Sequence, residues 1–259
     1  MAELIDYERK SRIAYITLRR PEKLNALTDE MTIRLRDTLE RFDQDTEAWV
    51  AILRGEGRAF CAGADVANRQ ARPLEELERL GGTSGRNAVI QHLFHRFVNY
   101  KPIIGAVHGY AIGGGFSIAL QCDLVVASED TKFQITEVGR GLNGLHHLAL
   151  MRERGAYTFG LEAAMTSRYF GADEALRHGV INLVATVNSH VEAAEALAEA
   201  ILENPPLAVR ALVRVRRIWM QRTEGETEAL EDPHLHLTKD FKEAVSAFIE
   251  KREPTFLGE

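Results

Sequence analysis

The first half of the chain shows apolar patterns that switch between the period of a strand and that of a helix. Residues 12–18 alternate and are rich in β-branched side chains, which is typical of a strand. Residues 28–43 follow a helical period, and Thr28 can cap this helix. Its apolar stripe consists of Met31, Leu35, Leu39 and Phe42. Residues 50–53 and 103–107 are short, continuously apolar runs that predict buried strands.

The second half of the chain becomes increasingly helical. Residues 124–127 predict one more strand. Helical patterns cover residues 116–124, 173–178, 193–202, 208–220 and 240–251. The chain therefore alternates strands and helices over most of its length and then becomes entirely helical, which predicts an α/β class. No internal period indicates a repeat protein.

Residues 70–86 differ from their surroundings. They mix charges with Pro73 and a pair of glycines, and they show no clean periodicity. We interpret them as a mobile or variable segment, of the kind that can form a lid.

One uncharged run could be mistaken for a membrane span. Residues 103–122 contain no Asp, Glu, Lys or Arg, and that length would cross a bilayer. However, His108 and five glycines interrupt it. The run is better explained by a buried strand, a glycine turn and a buried helix.

Composition narrows the class of protein. The chain has 259 residues, of which 45% are apolar and 27% charged, so it can bury a core and is not predicted to be disordered. A net charge of −6 argues against a general nucleic-acid surface but allows a local basic patch for an anionic ligand. Its two cysteines form neither a disulfide framework nor a metal cluster. The acidic N-terminal residues lack the apolar region of a signal peptide, which favours a cytoplasmic location.

Three segments have compositions that suit chemistry. Residues 58–66 contain small side chains that let the backbone approach a ligand, although a structural turn would also explain them. Residues 109–116 place three glycines before a helix, without the spacing of a dinucleotide site or the lysine of a P-loop. They favour backbone N–H donors aimed at a small oxyanion, with dense packing as the alternative. In residues 133–139, Glu137 follows a strand-like run, and alone it would be a solvated charge.

Five ordered motifs resemble one known family. They are PEKLNAL at 21–27, AFCAGAD at 59–65, GYAIGGG at 109–115, ADEALRHGVIN at 172–182 and DFKEAVSAFIEKR at 240–252. Together they resemble the crotonase superfamily, also called the enoyl-CoA hydratase/isomerase family. The resemblance extends over nearly the whole chain.

The resemblance implies an architecture and an assembly. Residues 1–200 would form a core of ββα turns in a spiral and carry the CoA thioester site. Residues 201–259 would form a helical oligomerisation region that makes a homotrimer, often paired into a hexamer. The implied partner is an acyl-CoA substrate, with neither nucleic acid nor membrane.

The resemblance also assigns site residues. The backbone N–H groups of Ala64 and Gly114 would form an oxyanion hole, and Glu137 would be the acid/base. The CoA-binding residues would be Lys23, Leu24, Ala26, Ala62, Asp65 and Val66. Lys23 either faces a phosphate or is an ordinary turn lysine. No metal and no cofactor beyond the CoA moiety of the substrate are implied.

Two departures from the family pattern concern the acid/base groups. Two-glutamate hydratases carry a second Glu two places after the third glycine, where this chain has Ser117. Serine is not a general base near neutral pH unless a partner activates it. Many relatives have a Pro-Gly stretch after the later Glu, whereas this chain has His146 and His147. Ser117, His146 and His147 are therefore candidates for catalysis or for the acyl pocket.

Three functional hypotheses remain open from the sequence. The first is an enoyl-CoA hydratase or isomerase, in which the oxyanion hole stabilises an enolate. The second is a decarboxylase or a thioester hydrolase on the same scaffold. The third, from another class, is a non-catalytic relative that binds CoA or RNA.

Overall fold

The computed structural model describes residues 4–80, 82, 100–230 and 234–259. The strands are β1 (Ile5–Lys10), β2 (Ile13–Leu18), β3 (Val50–Gly55), β4 (Ile103–Val107), β5 (Tyr110–Ile112), β6 (Leu124–Ser128), β7 (Lys132–Gln134), β8 (Phe170–Gly171) and β9 (Leu183–Ala185). The helices are α1 (Asp29–Gln44), α2 (Val66–Arg69), α3 (Leu74–Leu80), α4 (Gly114–Gln121), α5 (Leu145–Glu153), α6 (Tyr157–Thr166), α7 (Ala172–Arg177), α8 (His190–Leu202), α9 (Pro206–Glu228) and α10 (Lys239–Glu250). Short 3₁₀ turns include Pro21–Lys23 and Val138–Arg140.

Two sheets organise the core. The larger sheet has the order β1-β2-β3-β4-β6-β9, and all its neighbours are parallel except the β1–β2 pair. The smaller sheet has the order β5-β7-β8. Both are built from strands that alternate with helices along the chain. This mixed α/β architecture confirms the fold class predicted from the sequence.

Both faces of the central strands of the larger sheet are buried. In β2, Ala14 and Ile16 belong to the main core, whereas Ile13 and Tyr15 belong to a second core that includes Ala194 of α8. Successive residues of a strand point to opposite faces, so a strand covered on both sides must be apolar throughout. This explains the continuous apolar runs at residues 50–53 and 103–107.

Several elements were not predicted from the sequence pattern. The edge strand β1 has mostly charged residues, and only Ile5 is buried. Helices α5 and α6 have weakly amphipathic sequences because their polar and apolar residues are not separated into clear faces. Helix α4 begins at Gly114, two residues earlier than predicted. Glycine has a low helix propensity, so the sequence pattern did not extend the predicted helix to residues 114 and 115.

Part of the segment at residues 70–86 is helical. It contains α3, which its irregular composition did not predict. Residue 81 and residues 83–86 lie outside the described residues. The lid interpretation of the segment stays a prediction.

The uncharged run at residues 103–122 forms β4 and α4, as predicted, and between them the short strand β5, where only a glycine turn was predicted. Strand β4 and nearly all of α4 are buried in the protein core. Among the helices of the described ranges, none is long and apolar enough to cross a membrane.

A buried ion-pair cluster attaches helix α9 to the core. Asp123 receives two hydrogen bonds from Arg217, at 2.6 and 2.7 Å, and one from Arg216 at 3.1 Å. It also accepts a hydrogen bond from the N–H of Ile103, the first residue of β4. Burial alone would raise the pKa of Asp123, but the guanidinium groups of Arg217 and Arg216 outweigh it and lower the pKa. Asp123 therefore stays ionised and joins α9 to the sheet.

We expect Asp123→Asn to lower the free energy of unfolding by about 3–5 kcal/mol, because it removes the charge that neutralises two largely buried guanidinium groups. Urea unfolding at a fixed protomer concentration measures the change. The matched control is Glu226→Gln, whose exposed ion pair with Arg152 should contribute less than about 1 kcal/mol. An equal, small loss in both variants would show that the cluster does not hold α9.

Candidate active site

Two backbone segments meet where the larger sheet ends. After β3, the N–H of Phe60 donates to the carbonyl of His108 and the N–H of Cys61 to that of Tyr110, both at 2.9 Å. The N–H of Ile112 donates back to Cys61 at 3.1 Å. These bonds place the small-residue segment 58–66 against the glycine run that opens α4. The sequence predicted each segment as a ligand contact but did not predict that they pair.

Glycine is required at this junction because the two backbones nearly touch. Gly63 has φ +88°, and a Cβ there would lie 2.6 Å from the Ile112 carbonyl oxygen and 3.5 Å from the Gly114 nitrogen. A Cβ on Gly115 would overlap the Cys61 carbonyl oxygen. Residues 63 and 114 are therefore neighbours.

The N–H groups of Ala64 and Gly114 can act together. Leu27 bonds to the carbonyl of Gly63 and to the N–H of Asp65, so the N–H of Ala64, between them, points away from Leu27. Gly114 is the first residue of α4, and its N–H has no acceptor within the helix. Two donors on adjacent backbones at a helix start suit a developing oxyanion.

Glu137 lies beside the same peptide. It immediately precedes the 3₁₀ turn Val138–Arg140, and its side chain is 21% exposed. Its Oε1 atom would be 3.3 Å from a Cβ built on Gly113. The carboxylate is thus next to the peptide that supplies the Gly114 donor, and it is not a freely solvated charge.

His147 connects Glu137 to this peptide. Its Nε2 lies 2.8 Å from the carbonyl oxygen of Gly113, and its Nδ1 lies 3.7 Å from Oε2 of Glu137. A carbonyl only accepts, so Nε2 carries a proton and Nδ1 of the neutral ring is an acceptor. Neither Nδ1 nor Oε2 has a hydrogen-bond partner among the described residues. The two atoms therefore face each other at a distance slightly longer than a hydrogen bond.

The hydrogen bond from His147 also affects the N–H of Gly114. The carbonyl of Gly113 and the N–H of Gly114 belong to one planar peptide. That carbonyl accepts from His147 and, at 2.9 Å, from the N–H of Ser117. The two bonds fix the plane of the peptide and polarise it, which strengthens the N–H as a donor.

The predicted CoA-binding residues lie on two adjoining segments. The N–H of Ala62 donates to the carbonyl of Leu24, which brings residues 23–26 against residues 62–66. Asp65 forms an ion pair with Arg20 at 2.8 Å and caps α2, which begins at Val66. Lys23 is exposed at the end of the turn Pro21–Lys23. The structure thus brings these residues together, and their contact with CoA stays a prediction.

Asn25 supports these segments and was missed in the sequence. It is fully buried and has φ +55°. Its side-chain amide donates to the carbonyls of Glu56 and Ala59, and its oxygen accepts from the N–H of Arg20. The sequence signal for Asn25 is its position inside a turn motif, because Asn tolerates the left-handed region of backbone conformation.

Cys61 is the thiol nearest the oxyanion donors along the chain. Burial raises its pKa to about 12. A protonated, buried thiol is not a nucleophile. The described residues also contain no group of three His, Cys, Asp or Glu side chains that could hold a metal ion.

Comparison with known proteins identifies the family. Residues 8–259 match the family model described as enoyl-CoA hydratase/isomerase.

The chain belongs to the enoyl-CoA hydratase/isomerase family.

The resemblance to the crotonase superfamily is thereby confirmed, and with it an enzyme of lyase or isomerase type that acts on acyl-CoA thioesters. The chain is 33% identical to (E)-benzylidenesuccinyl-CoA hydratase of Thauera aromatica, over 98% of this chain and 99% of that one. It is 32% identical to the short-chain-enoyl-CoA hydratase of Clostridium acetobutylicum, over 95% and 94%. The crystal structure of carnitinyl-CoA hydratase from Mycobacterium avium aligns over the whole of both chains with a TM-score of 0.79 at 32% identity.

For an enoyl-CoA hydratase/isomerase, Ser117 is the departure that matters most. It is buried in the first turn of α4, and its Oγ lies 2.8 Å from Nε2 of His146. His146 and His147 are consecutive, and their ring planes are inclined by 79°, so they contact different atoms of the α4 start. All three candidates therefore adjoin the glycine turn.

An apolar cluster lies beside the site. Val66 adjoins Asp65, and the N–H of Leu142 donates to the carbonyl of Glu137. Both pack against three buried side chains, Leu77, Phe241 and Val245. The side of the site near Asp65 and Glu137 is therefore apolar. A cavity of about 210 Å³ lies elsewhere, at the amino ends of β3 and β4 near Val50 and Lys101, and does not belong to the site.

We expect His147→Phe to lower kcat about 100-fold with little change in KM. The phenyl ring can keep the packing against Phe116 but has no nitrogen atoms. The variant therefore loses the hydrogen bond to the Gly113 carbonyl and the nitrogen that faces Glu137. Steady-state kinetics on an enoyl-CoA measure this. The control is His178→Phe, the same change at an exposed histidine. A change confined to KM would contradict the assigned role.

Proposed function

We propose that this protein is an enoyl-CoA hydratase that adds water across the 2,3 double bond of an enoyl-CoA thioester. The single observation that carries the proposal is the position of the Glu137 carboxylate beside the peptide whose N–H, with that of Ala64, would form the oxyanion hole. Hydration is preferred to isomerisation because the relatives at 32–33% identity are named hydratases.

The oxyanion hole activates the substrate. Hydrogen bonds from Ala64 and Gly114 to the thioester oxygen draw electron density from the conjugated double bond, so C3 becomes electrophilic. Attack by water at C3 places negative charge on that oxygen, and fixed donors stabilise this enolate more than the substrate. In other enzymes, removing one donor from an oxyanion hole costs about 3 kcal/mol of transition-state stabilisation.

Glu137 completes the addition by giving a proton to C2 of the enolate. The attacking water loses one proton, which restores the acid form of Glu137. The product then carries a hydroxyl at C3 and a hydrogen at C2, which together are one water molecule. The same carboxylate can move a proton between C2 and C4, and this would be the isomerase reaction. The proposed reaction needs no cofactor beyond the CoA moiety of the substrate.

The binding of CoA is assigned to the paired turns. Leu24, Ala26 and Ala62 present small or apolar surfaces where the backbones meet, and Asp65 and Val66 lead from the oxyanion donor into α2. Lys23 is exposed and is free to reach a phosphate of CoA. We also propose a cytoplasmic location, where the two unpaired cysteines would stay reduced.

The proposed reaction is tested with crotonyl-CoA, by the loss of its conjugated enoyl absorbance. We expect Glu137→Gln to lower kcat by about 10²- to 10⁴-fold, because the amide cannot transfer a proton. Glu192→Gln, at an exposed site on α8, is the matched control. Release of carbon dioxide from a malonyl-type thioester, or of free CoA, in place of hydration would favour the decarboxylase or hydrolase alternative. Binding without any turnover would favour a non-catalytic relative.

We further propose that residues 201–259 mediate assembly into a trimer, or a hexamer of two trimers. Helix α9 exposes Leu212, Val215 and Trp219, which recur at helical spacing on one face. Exposed apolar stripes of this kind mark interfaces.

We expect light scattering to give three or six times the mass of one chain. Leu212→Glu combined with Trp219→Glu should shift the protein toward the monomer, because charges would be buried at the interface. The control pair is Arg222→Glu and Lys239→Glu, at exposed charged positions. A monomeric wild-type protein would contradict the proposal.

A further inference from the structure

Ser117 and His146 form a hydrogen-bonded pair at the start of α4. The distance between Oγ and Nε2 is 2.8 Å, and Ser117 is only 2% exposed. The side-chain nitrogen of Gln121, one turn further along α4, lies 3.2 Å from the same Oγ. The serine is therefore held between a histidine and an amide, in a site that excludes most bulk water.

The hydrogen-bond partners of Ser117 determine where its hydroxyl proton points. The amide nitrogen of Gln121 can only donate, so the serine oxygen is the acceptor in that bond. The hydroxyl proton is then available to Nε2 of His146, which accepts it when the ring is neutral and protonated at Nδ1. One lone pair on the serine oxygen remains, and it can accept a proton from a water molecule. The arrangement gives serine the activating partner that it needs to act as a base.

The pair adjoins the two groups already assigned to the reaction. Ser117 follows Gly114 by three residues, so both lie on one face of α4. The rings of His146 and His147 have centroids 6.0 Å apart, and His147 faces Glu137. Two pairs of side chains, Glu137–His147 and Ser117–His146, therefore border the start of α4.

We propose that the Ser117–His146 pair is the second acid/base group of the site, with Ser117 as a catalytic residue that holds the attacking water and His146 as the positioning residue that receives the proton. This inference rests on the proposed hydratase function. As the water oxygen bonds to C3, its proton passes to Oγ of Ser117 while the serine proton passes to Nε2 of His146. Glu137 gives its proton to C2. The proton on His146 then returns to Glu137 through solvent, so one water is consumed and both pairs are restored.

Serine as a covalent nucleophile is the competing use of the same pair. In that case Oγ would attack the thioester carbon, CoA would leave as a thiol, and water would release a free acid. The bond from Gln121 occupies one lone pair of Oγ and holds it against α4, which favours a water-holding role over attack. The two uses differ in their products.

The experiment compares two reactions of the full-length protein and its variants. The first is hydration of crotonyl-CoA, with cinnamoyl-CoA as a bulkier substrate. The second is exchange of the C2 protons of butyryl-CoA in deuterium oxide, which needs the oxyanion hole and Glu137 but no attacking water. Ser117→Ala and His146→Gln are made singly and together. The controls are His178→Gln, at an exposed position, and Ser189→Ala, at the half-buried residue before α8.

We expect each single variant to lower kcat for hydration about 100-fold or more, with KM and C2 exchange within about threefold of wild type. The double variant should be no worse than the lower single variant by more than about threefold, because the two residues act as one unit. If one single variant does not fold, the hydration and exchange rates of the other single variant still test the proposal.

Three results would overturn the inference. Hydration within about threefold of wild type in both variants would show that the pair is dispensable, and a parallel fall of hydration and exchange would show only structural support. Release of free CoA by wild type, lost in Ser117→Ala, would establish the nucleophile instead. Failure of the proposed function is distinguishable, because wild type would then exchange C2 protons without hydrating either enoyl-CoA.

Discussion

The peptide between Gly113 and Gly114 is the constraint on which the site depends. Gly113 has φ +50°, and a Cβ there would lie 2.7 Å from Oγ1 of Thr136, so only glycine fits without displacing its neighbours. The carbonyl of this peptide accepts from His147 and from the N–H of Ser117, while its N–H, at the first residue of α4, has no acceptor within the helix. A donor fixed in this way needs no reorganisation as charge develops on a substrate oxygen.

The remainder of the fold serves to hold that peptide. Parallel strands β3 and β4 end at one edge, and the segments that leave them pair through Cys61 and Ile112. Asn25 fastens the turn before α1 to the same edge by hydrogen bonds to two carbonyls. The buried Asp123 cluster lies away from the oxyanion donors and stabilises the attachment of α9. Stability and chemistry thus rest on different polar groups.

The sequence predicts the parts of this structure that depend on local pattern. Alternation in residues 12–18 predicts β2, and the stripe from Met31 to Phe42 predicts α1. The oxyanion donors were assigned through ordered motifs, and the structure places Ala64 and Gly114 together. The two histidines were singled out by their residue type and by their departure from the family pattern. Their partners, Gly113 and Ser117, are 34 and 29 residues away along the chain, and no spacing predicts such contacts. The low amphipathicity of α5, which carries both histidines, hid the helix itself.

A crystal structure with butyryl-CoA bound tests the central claim most directly, because this thioester lacks the double bond and cannot be hydrated. The account predicts that the thioester oxygen lies about 2.7–3.1 Å from the backbone nitrogens of both Ala64 and Gly114, with the Glu137 carboxylate against C2. A thioester oxygen bound by side chains or water, with either nitrogen out of hydrogen-bond reach, would contradict it.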